Sequence, residues 1–321
     1  ASELGLVGAA ATRCEGGGAS GQLAVHAGVR AIRTGGRHVL VLGVDASASS
    51  LSGAAIRDLY GYSFDAWTDG MSGVTATALY ALSYQAFAAE VGTTEADLAA
   101  VTRQNRANAL NNPGAHLPRD HSAAEIDESP MIASPYRRLH CSPLSDGAAA
   151  VVLSRTDALP AERGIAPVII GIGSSSDHMH LGARADMGRF SAKTEAMRRA
   201  ATEAEVTPRQ INVVELYDSY AGAQLQALDA LGLSDKPGDD TADGAFALTG
   251  RCPVNLSGGL MGQGAPVGAI GVGQTATCAL LLEGRYHQSL QPKSLPRYAL
   301  ADTHGGLCTL SAATILKSRA A

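Results

Sequence analysis

The sequence predicts an α/β protein in which one strand–helix pattern occurs twice. A glycine-rich turn at residues 13–21 (RCEGGGASG) is followed by a helical pattern and then by the apolar run HVLVLGV at His38–Val44. Past residue 166, short apolar runs alternate with helical stretches, which is typical of strands that alternate with helices. A second turn of the same kind, NLSGG at residues 255–259, takes the corresponding place in that later series. Similar units in the same order indicate an internal duplication.

The first half, residues 1–160, is predicted to contain one complete unit and a long excursion. A small-residue strand ends at the turn, a helix covers Ala19–Thr34, and His38–Val44 is a strand buried on both faces because its apolar residues do not alternate with polar ones. The excursion over residues 45–143 adds no second unit. Two helical patterns, a loop containing proline and histidine, and a closing strand are predicted at Ser72–Val91, Glu95–Ala109, Asn111–Pro135 and Gly147–Ser154.

The second half, residues 161–321, is predicted to be complete, and Ala158–Gly164 joins the two halves as a linker. Its order is β-α-β-α-β-α-β-β. The strands are predicted at Pro167–Gly173, Asn212–Leu216, Cys252–Asn255, Tyr298–Ala301 and Leu307–Leu316, and the helices at Thr194–Glu205, Ala221–Leu231 and Val267–Glu283. By comparison, the first half lacks an opening β-α-β-α of roughly 60 residues, since one βαβ unit takes about 30. We expect that an N-terminal segment is missing, was removed, or is carried by another chain.

Composition limits the function classes. The chain has 321 residues, 45% of them apolar, a net charge of −5 and a pI near 6.0, so it can build a large core but offers no basic surface to nucleic acid. We predict no nucleic-acid partner, no membrane span and a cytoplasmic protein. The five cysteines lack metal-ligand spacing and are predicted to be mostly buried thiols, with no metal site. Four histidines in polar stretches are predicted to be surface residues: His116, His121, His178 and His180.

The first glycine turn is a candidate site for binding a negatively charged group. Consecutive glycines at a helix start let a ligand approach the backbone N–H groups, which suits a developing negative charge. Gly18, at the apex, has no side chain, so the turn can hold an oxyanion but cannot attack a substrate. The same glycines could equally form a connection without chemistry.

Several motifs together resemble the thiolase superfamily, and more narrowly its sterol-carrier-protein-type and archaeal members. The resemblance runs from about Glu15 to Leu316. It rests on CSPLSDGAAA at 141–150, ELYDSY at 215–220, PVNLSGG at 253–259, GAPVGA at 264–269 and THGG at 303–306. It implies two similar mixed-sheet halves packed in α-β-α-β-α layers, coenzyme A as part of a thioester substrate, no covalently bound cofactor, and a homodimer.

The catalytic side chains of that family do not carry over. Gly18 matches the nucleophilic Cys, Ala265 matches the His of Gly-His-Pro, and Tyr217-Asp218-Ser219-Tyr220 matches His-Asp-Cys-Phe. In the loss of the nucleophile, the chain is similar to the thiolase-like aldolases of bacterial steroid side-chain degradation. These have Gly-Gly-Gly-Ala at the nucleophile turn and Leu-Tyr-Asp in place of His-Asp. They also have a second Tyr where this chain has Ala265, so the match is partial.

The resemblance and the residue chemistry together give a candidate site. Tyr217, at a strand end, is the predicted proton-transfer phenol or a packed phenol; as a base it would need a lowered pKa or a relay through His. Asp218 either tunes Tyr217 or caps a helix. His304 titrates in the useful range and lies in a predicted turn between the last two strands, and His140 is expected to reach the same cavity or to be a core histidine.

The predicted thioester-binding groups are backbone donors. Gly18, Gly305 and Gly306 are candidates for the oxyanion hole by analogy with the family, and Asn255 either contributes there or fixes the second turn. Aromatic residues of the excursion either line an acyl pocket or pack in the core: Trp67, Tyr80, Tyr84 and Phe87.

Three functions remain open at this point. The first is retro-aldol cleavage of a β-hydroxyacyl-CoA with a steroid-like or other bulky acyl group. The second is acyl transfer with Cys308 or Cys141 as an unconventional nucleophile. The third is a non-catalytic subunit that binds acyl-CoA. The resemblance further implies a small OB-fold partner protein with a zinc ribbon.

Overall fold

A computed structural model of the chain describes residues 2–160 and 166–319. The helices are α1 Ser20–Arg33, α2 Ser47–Ser50, α3 Gly53–Gly61, α4 Ala76–Val91, α5 Glu95–Leu110, α6 Ala123–Glu128, α7 Ser191–Ala204, α8 Ala221–Ala230, α9 Pro237–Ala242, α10 Gly259–Gly262 and α11 Ile270–Leu282. The strands are β1 His38–Asp45, β2 Met131–Ala133, β3 Tyr136–Arg137, β4 Gly147–Ser154, β5 Val168–Ser176, β6 Val213–Glu215, β7 Tyr298–Gly305 and β8 Leu310–Lys317.

The second half forms a four-stranded mixed sheet in the order β5-β8-β7-β6. Strands β6 and β7 are parallel, and the other two pairs are antiparallel. The predicted strand at Cys252–Asn255 is reduced to one parallel bridge between Val254 and Val214 at the sheet edge. All eight residues of β7 are buried, because helices cover both faces of this sheet.

Two helices related by the internal duplication separate the two sheets. Helix α11 contacts β7 and β6 on one side and β4 and β1 on the other, while α1 contacts β1 and β8. Their backbones touch, since a Cβ atom placed on Gly21 would lie 2.8 Å from the Val272 nitrogen. The duplicated, layered α/β architecture predicted from the sequence is therefore confirmed.

The sheet of the first half contains only β1 and β4, which pair antiparallel from His38–Ser154 to Asp45–Gly147. The prediction that β1 is buried on both faces is wrong. Its inner face packs on α1 and α11, but Leu40, Leu42 and Val44 point outward and are 40–66% exposed. Among the described residues, nothing corresponds to α7, which covers the equivalent strands of the second half.

Other sequence predictions also need correction. Residues 6–16 form no strand, because in the described chain they have no neighbouring strand to pair with. The predicted loop Asn111–Pro135 contains α6, which begins with a Ser122–Glu125 capping box, and the first strand of the β2–β3 hairpin. The linker prediction extends into residues 161–165, outside the described residues, so the boundary between residues 160 and 161 stays a prediction.

The excursion forms a helical layer over the carboxyl end of the larger sheet. Helix α4 packs on α8, and α5 packs on α8, α9 and α10. The segment after α3 reaches the last turn of the sheet, where a Cβ atom on Gly306 would overlap the Ser63 carbonyl oxygen. Excursion and sheet together enclose the region in which the glycine turn, β6 and β7 end. In the described chain, no helix has the length and apolarity needed to cross a membrane.

Candidate active site

The glycine turn leaves one of its backbone donors free. Glu15 Oε1 accepts hydrogen bonds from Gly16 N–H at 3.0 Å, from Gly17 N–H at 2.9 Å and from the Ser20 hydroxyl. These bonds shape the turn and occupy two of its three glycine N–H groups. The Gly18 N–H donates to no acceptor among the described residues.

Tyr217 fills the space beside Gly18. A Cβ atom placed on Gly18 would lie 2.5 Å from Tyr217 Oη and closer still to the His304 carbonyl oxygen. Gly18 is therefore close to the predicted site residues, as the sequence analysis required. The same geometry leaves no room there for any side chain, because the Tyr217 hydroxyl stands where a nucleophile would begin.

Tyr217 lies two residues past the end of β6 and is 6% exposed. Burial, together with the nearby Tyr60, Tyr220 and Asp218, raises the pKa of Tyr217 well above its ordinary value. The lowered pKa that a phenolate base would need is therefore absent. At neutral pH, Tyr217 is a phenol that can donate a proton or a hydrogen bond.

His304 lies beside Tyr217, with ring centroids 4.7 Å apart. It belongs to β7, where it pairs with Ser311, and not to the predicted turn between the last strands. The imidazole is fully buried, and burial with the charges of Lys193 and Arg184 lowers its pKa well below the ordinary value. His304 is therefore neutral in this site.

Tyr80 determines which His304 nitrogen carries the proton. Its hydroxyl lies 2.7 Å from His304 Nε2 and 2.6 Å from the Gly306 carbonyl oxygen. A carbonyl can only accept, so the single phenolic proton goes to Gly306 and His304 Nε2 must donate to Tyr80. The buried His304 Nδ1, which has no partner among the described residues, is then a free acceptor.

A buried ion pair lies behind this arrangement. Lys193 of α7 and Asp302 of β7 are both fully buried and form a direct salt bridge. Asp302 precedes His304 by two residues, so both side chains lie on the same face of the strand. This pair was not predicted from the sequence, although the lone acidic residue in the apolar run YALAD was a usable signal.

The Asp218 and Asn255 side chains bond to the backbone around the candidate site. The Asp218 carboxylate accepts from Leu260 N–H at 2.7 Å and from Asn105 Nδ2 at 2.8 Å, so it caps α10. Burial raises its pKa to about 7. Asn255 has a left-handed φ of 52°, and its Oδ1 accepts from Leu216 N–H at 2.8 Å. Both residues therefore help to fix the segment that carries Tyr217.

His140 is buried in the turn after β3, where Arg137 N–H donates to its Nδ1 at 3.3 Å. Burial and the charge of Arg137 lower its pKa to about 4. No hydrogen bond or ring contact in the described chain links it to Tyr217 or His304. Its catalytic role stays a prediction, as do the roles of the other site residues.

The two candidate thiols and most of the aromatic residues of the excursion are buried or half-buried. Burial raises the pKa of both Cys308 and Cys141 to about 12, so neither thiol is activated as a nucleophile. Tyr80, Tyr84 and Phe87 belong to the core, whereas Trp67 is 83% exposed.

One predicted surface histidine is placed differently. His121 is 9% exposed and therefore buried. Its polar sequence context gave no indication of the packing around it.

Comparisons with known proteins identify the family of the chain. Residues 173–318 match the family model described as thiolase C-terminal domain-like. The chain is 35% identical over 288 residues to an acetyl-CoA acetyltransferase of Methanothermobacter thermautotrophicus, covering 88% of this chain and 74% of that protein. The chain belongs to the thiolase superfamily. Its relatives place it on the sterol-carrier-protein-type branch.

This thiolase-superfamily chain is also similar to a sterol carrier protein and to a solved aldolase structure. It is 29% identical over 201 residues to sterol carrier protein 2 of Bos taurus, covering 60% of this chain and 37% of that protein. The solved structure of the Ltp2-ChsH2(DUF35) aldolase superposes with a TM-score of 0.81 at 25% identity, covering 94% of this chain and 78% of that one. Its relatives thus include proteins named as acetyltransferases and one named as an aldolase.

Proposed function

We propose that this chain catalyses the retro-aldol cleavage of a β-hydroxyacyl-CoA. The observation that carries the proposal is the contact between Gly18 and Tyr217, which replaces the nucleophile position by a phenol. A retro-aldol reaction needs no nucleophile. It needs a base for the β-hydroxyl proton and donors for the thioester oxygen. The resemblance to a structure named as an aldolase supports the same reaction.

The proposed reaction begins with proton transfer from the substrate β-hydroxyl to the free Nδ1 of His304. The oxygen lone pair forms the new carbonyl, the Cα–Cβ bond breaks, and its electron pair moves to the thioester oxygen as an enolate. The N–H groups of Gly18 and Gly306, which have no acceptor in the described chain, stabilise that oxygen. A proton returned to Cα completes the shortened acyl-CoA and regenerates neutral His304.

Tyr217 and the buried ion pair have separate roles in this proposal. The protonated Tyr217 phenol donates a hydrogen bond to the reacting oxygen atoms. Burial, with the positive charge of Lys193 in the Lys193–Asp302 pair, lowers the pKa of His304, so the imidazole is unprotonated before the reaction. A bulky acyl group, such as an alicyclic or steroid-like one, would extend beneath the excursion.

Acyl transfer is the second candidate, because relatives are named as acetyl-CoA acetyltransferases. It requires a thiol near the thioester carbonyl. The raised pKa values of Cys308 and Cys141 oppose that role. Incubation with an acyl-CoA followed by intact-protein mass spectrometry tests it, because a stable acyl increment on a cysteine would support transfer.

The lyase proposal is tested by product analysis with variants of Tyr217. Wild-type protein is expected to convert a β-hydroxyacyl-CoA into a shortened acyl-CoA and a free ketone or aldehyde. Tyr217→Phe should lower kcat by about 10²- to 10³-fold, the usual contribution of one hydrogen-bond donor to a reacting oxygen. Tyr286→Phe, which changes a half-buried phenol packed against the core cluster beneath the larger sheet, is the matched control. Carbonyl release that is equal in wild type and Tyr217→Phe would contradict the assigned role.

Association with other chains is part of the proposal. The aldolase structure is named for two components, Ltp2 and ChsH2(DUF35). This supports the expectation of a small OB-fold partner that closes over the acyl-CoA, and a homodimer remains our expectation for the chain itself. Co-purification with a candidate partner, followed by measurement of kcat with and without it, tests the first point.

A further inference from the structure

Helix α5 buries an arginine that has no counter-ion. Arg106 is 3% exposed, and its Nε is enclosed without a hydrogen-bond partner. In residues 2–160 and 166–319, no carboxylate oxygen lies within 4.0 Å of its guanidinium. An unpaired buried charge destabilises a fold, and a bound anion would relieve that cost.

The nearest compensating group is already engaged elsewhere. Asp218 is the carboxylate that acts on Arg106, but its oxygens accept hydrogen bonds from Leu260, Met261 and Asn105. Arg106 is therefore left with five N–H donors in a planar fork and no acceptor in the described chain.

A second unpartnered basic group lies beside Arg106. His121 is 9% exposed, its Nδ1 is buried without a hydrogen bond, and the Glu125 Oε1 atom is 4.0 Å away. Helix α6, which begins two residues after His121, packs on α5, the helix that carries Arg106. Burial, with the charges of Arg106 and Arg119, lowers the pKa of His121. Arg119 is largely exposed and pairs with Glu125 at 3.6 Å, so it stands at the outer edge.

The loop that carries His121 is bonded to the last residue of α10 and to the residue after it. His116 N–H donates to the Gln263 carbonyl at 2.9 Å, and Leu117 N–H donates to the Gly262 carbonyl at 3.1 Å. The basic groups of α5 and this loop are thus held in place by α10 and the residues after it. A preorganised pair of donors loses little entropy when it binds an anion.

We propose that Arg106 and His121 form an anion-binding subsite for a phosphate or carboxylate group. The guanidinium would bind two oxygens of the anion side by side, and His121 would donate to a third oxygen or to one of these two. Arg119 would attract the anion from solvent. The subsite goes beyond the lyase proposal, since binding of an anion does not depend on carbon–carbon cleavage. The anion could belong to the phosphates of coenzyme A or to a carboxylate on an acyl group.

Thermal unfolding with separate anions tests the subsite. Inorganic phosphate, pyrophosphate and succinate are titrated against the full chain at constant ionic strength, and a saturable rise in Tm is expected for at least one of them. A response to phosphate and pyrophosphate alone indicates a phosphate source, whereas a response to succinate indicates a carboxylate. Arg106→Met should weaken the apparent affinity by about 10- to 100-fold, as expected for a charge-assisted hydrogen bond. Arg103→Met, on the exposed side of the same helix, should bind as wild type does.

The stability of the variants without anion separates binding from a structural role. Because Arg106→Met removes an unpaired buried charge, its Tm in the absence of anion should equal or exceed that of wild type. A large loss of Tm would make Arg106 structural and overturn the proposal, as would a saturable response that is unchanged in Arg106→Met or absent for all three anions. His121→Asn provides a second test, with a weaker but measurable loss of anion affinity. Failure of lyase activity would affect none of these readings.

Discussion

Gly18 determines the chemistry at the scale of single residues. Its neighbours Tyr217 Oη and the His304 carbonyl leave no space for a β-carbon. The sequence showed that the nucleophile was absent, since Gly18 stands at the position that matches the nucleophilic Cys of the family. It could not show what takes its place, because that depends on where β6 and β7 end in space.

Gly18→Ala should therefore destabilise the fold. The added methyl group would overlap two fixed groups, and overpacking of this kind costs about 1–3 kcal/mol. Urea unfolding is expected to show a lower midpoint with an unchanged slope. Gly53→Ala is the control, since nothing lies within 4 Å of a Cβ atom there. Equal midpoints for Gly18→Ala and Gly53→Ala would contradict the packing described for the turn.

We expect Tyr80 to position His304 rather than to act on substrate. Tyr80→Phe removes the acceptor for the Nε2 proton of His304, so the tautomer with a free Nδ1 is no longer favoured. We expect kcat to fall about tenfold or more with little change in KM, since one hydrogen bond contributes about 1 kcal/mol or somewhat more. Steady-state kinetics of Tyr80→Phe beside Tyr84→Phe, whose hydroxyl contacts Thr93, measures this. A rise in KM alone would indicate a binding role instead.

At the scale of elements, the sequence predicted the bounds of the helices better than the hydrogen bonds that cap them. The sequence placed α8 and α11 to within a few residues, because their apolar patterns are long. It assigned Asp218 to its own helix or to catalysis, whereas the carboxylate caps α10, 42 residues further on. Long-range caps leave no local pattern, so the sequence alone could not reveal this one.

The end of β6 carries a second buried carboxyl group, Glu215, which makes stability depend on pH. Burial raises its pKa to about 7, and Ser257 donates to it from its backbone N–H at 3.0 Å and from its hydroxyl. Between the ordinary value near 4.5 and 7, the folded chain binds this proton and the unfolded chain does not. The contribution of Glu215 to stability is therefore complete below pH 4.5 and is lost as the pH rises through 7.

Glu215→Gln should remove that dependence. Relative to the variant, wild-type protein is expected to lose about 3 kcal/mol of unfolding free energy between pH 4.5 and pH 8. Urea unfolding of both proteins across this range gives the difference at each pH. If the plots of unfolding free energy against pH are parallel for the two proteins, Glu215 is already ionised in the folded chain.

At the scale of the whole molecule, the two halves differ in how their sheets are covered. Strands β7 and β8 are enclosed by helices, whereas β1 exposes Leu40, Leu42 and Val44, and β4 exposes Val152 opposite Leu40. The apolar run HVLVLGV gave the strand correctly but not its exposure. Whether a strand face is covered depends on other segments, which the run itself does not specify.

This exposed face should make the chain associate. Contiguous apolar surface next to open strand edges favours self-association. Val44→Lys is expected to reduce binding of a hydrophobic dye and concentration-dependent light scattering, with unchanged circular dichroism. Leu82→Lys, at an exposed position on α4 away from the sheet, should leave both signals as in wild type. Unchanged association of Val44→Lys would show that other surfaces bring the molecules together.

The most direct test of the proposed chemistry is a crystal structure with a coenzyme A thioester bound. We predict that the thioester oxygen lies within hydrogen-bond distance, about 2.7–3.2 Å, of the Gly18 and Gly306 nitrogens, with Tyr217 Oη and His304 beside the acyl carbons. A thioester carbonyl seated against the sulfur of Cys308 or Cys141, or bound away from Gly18, would contradict it.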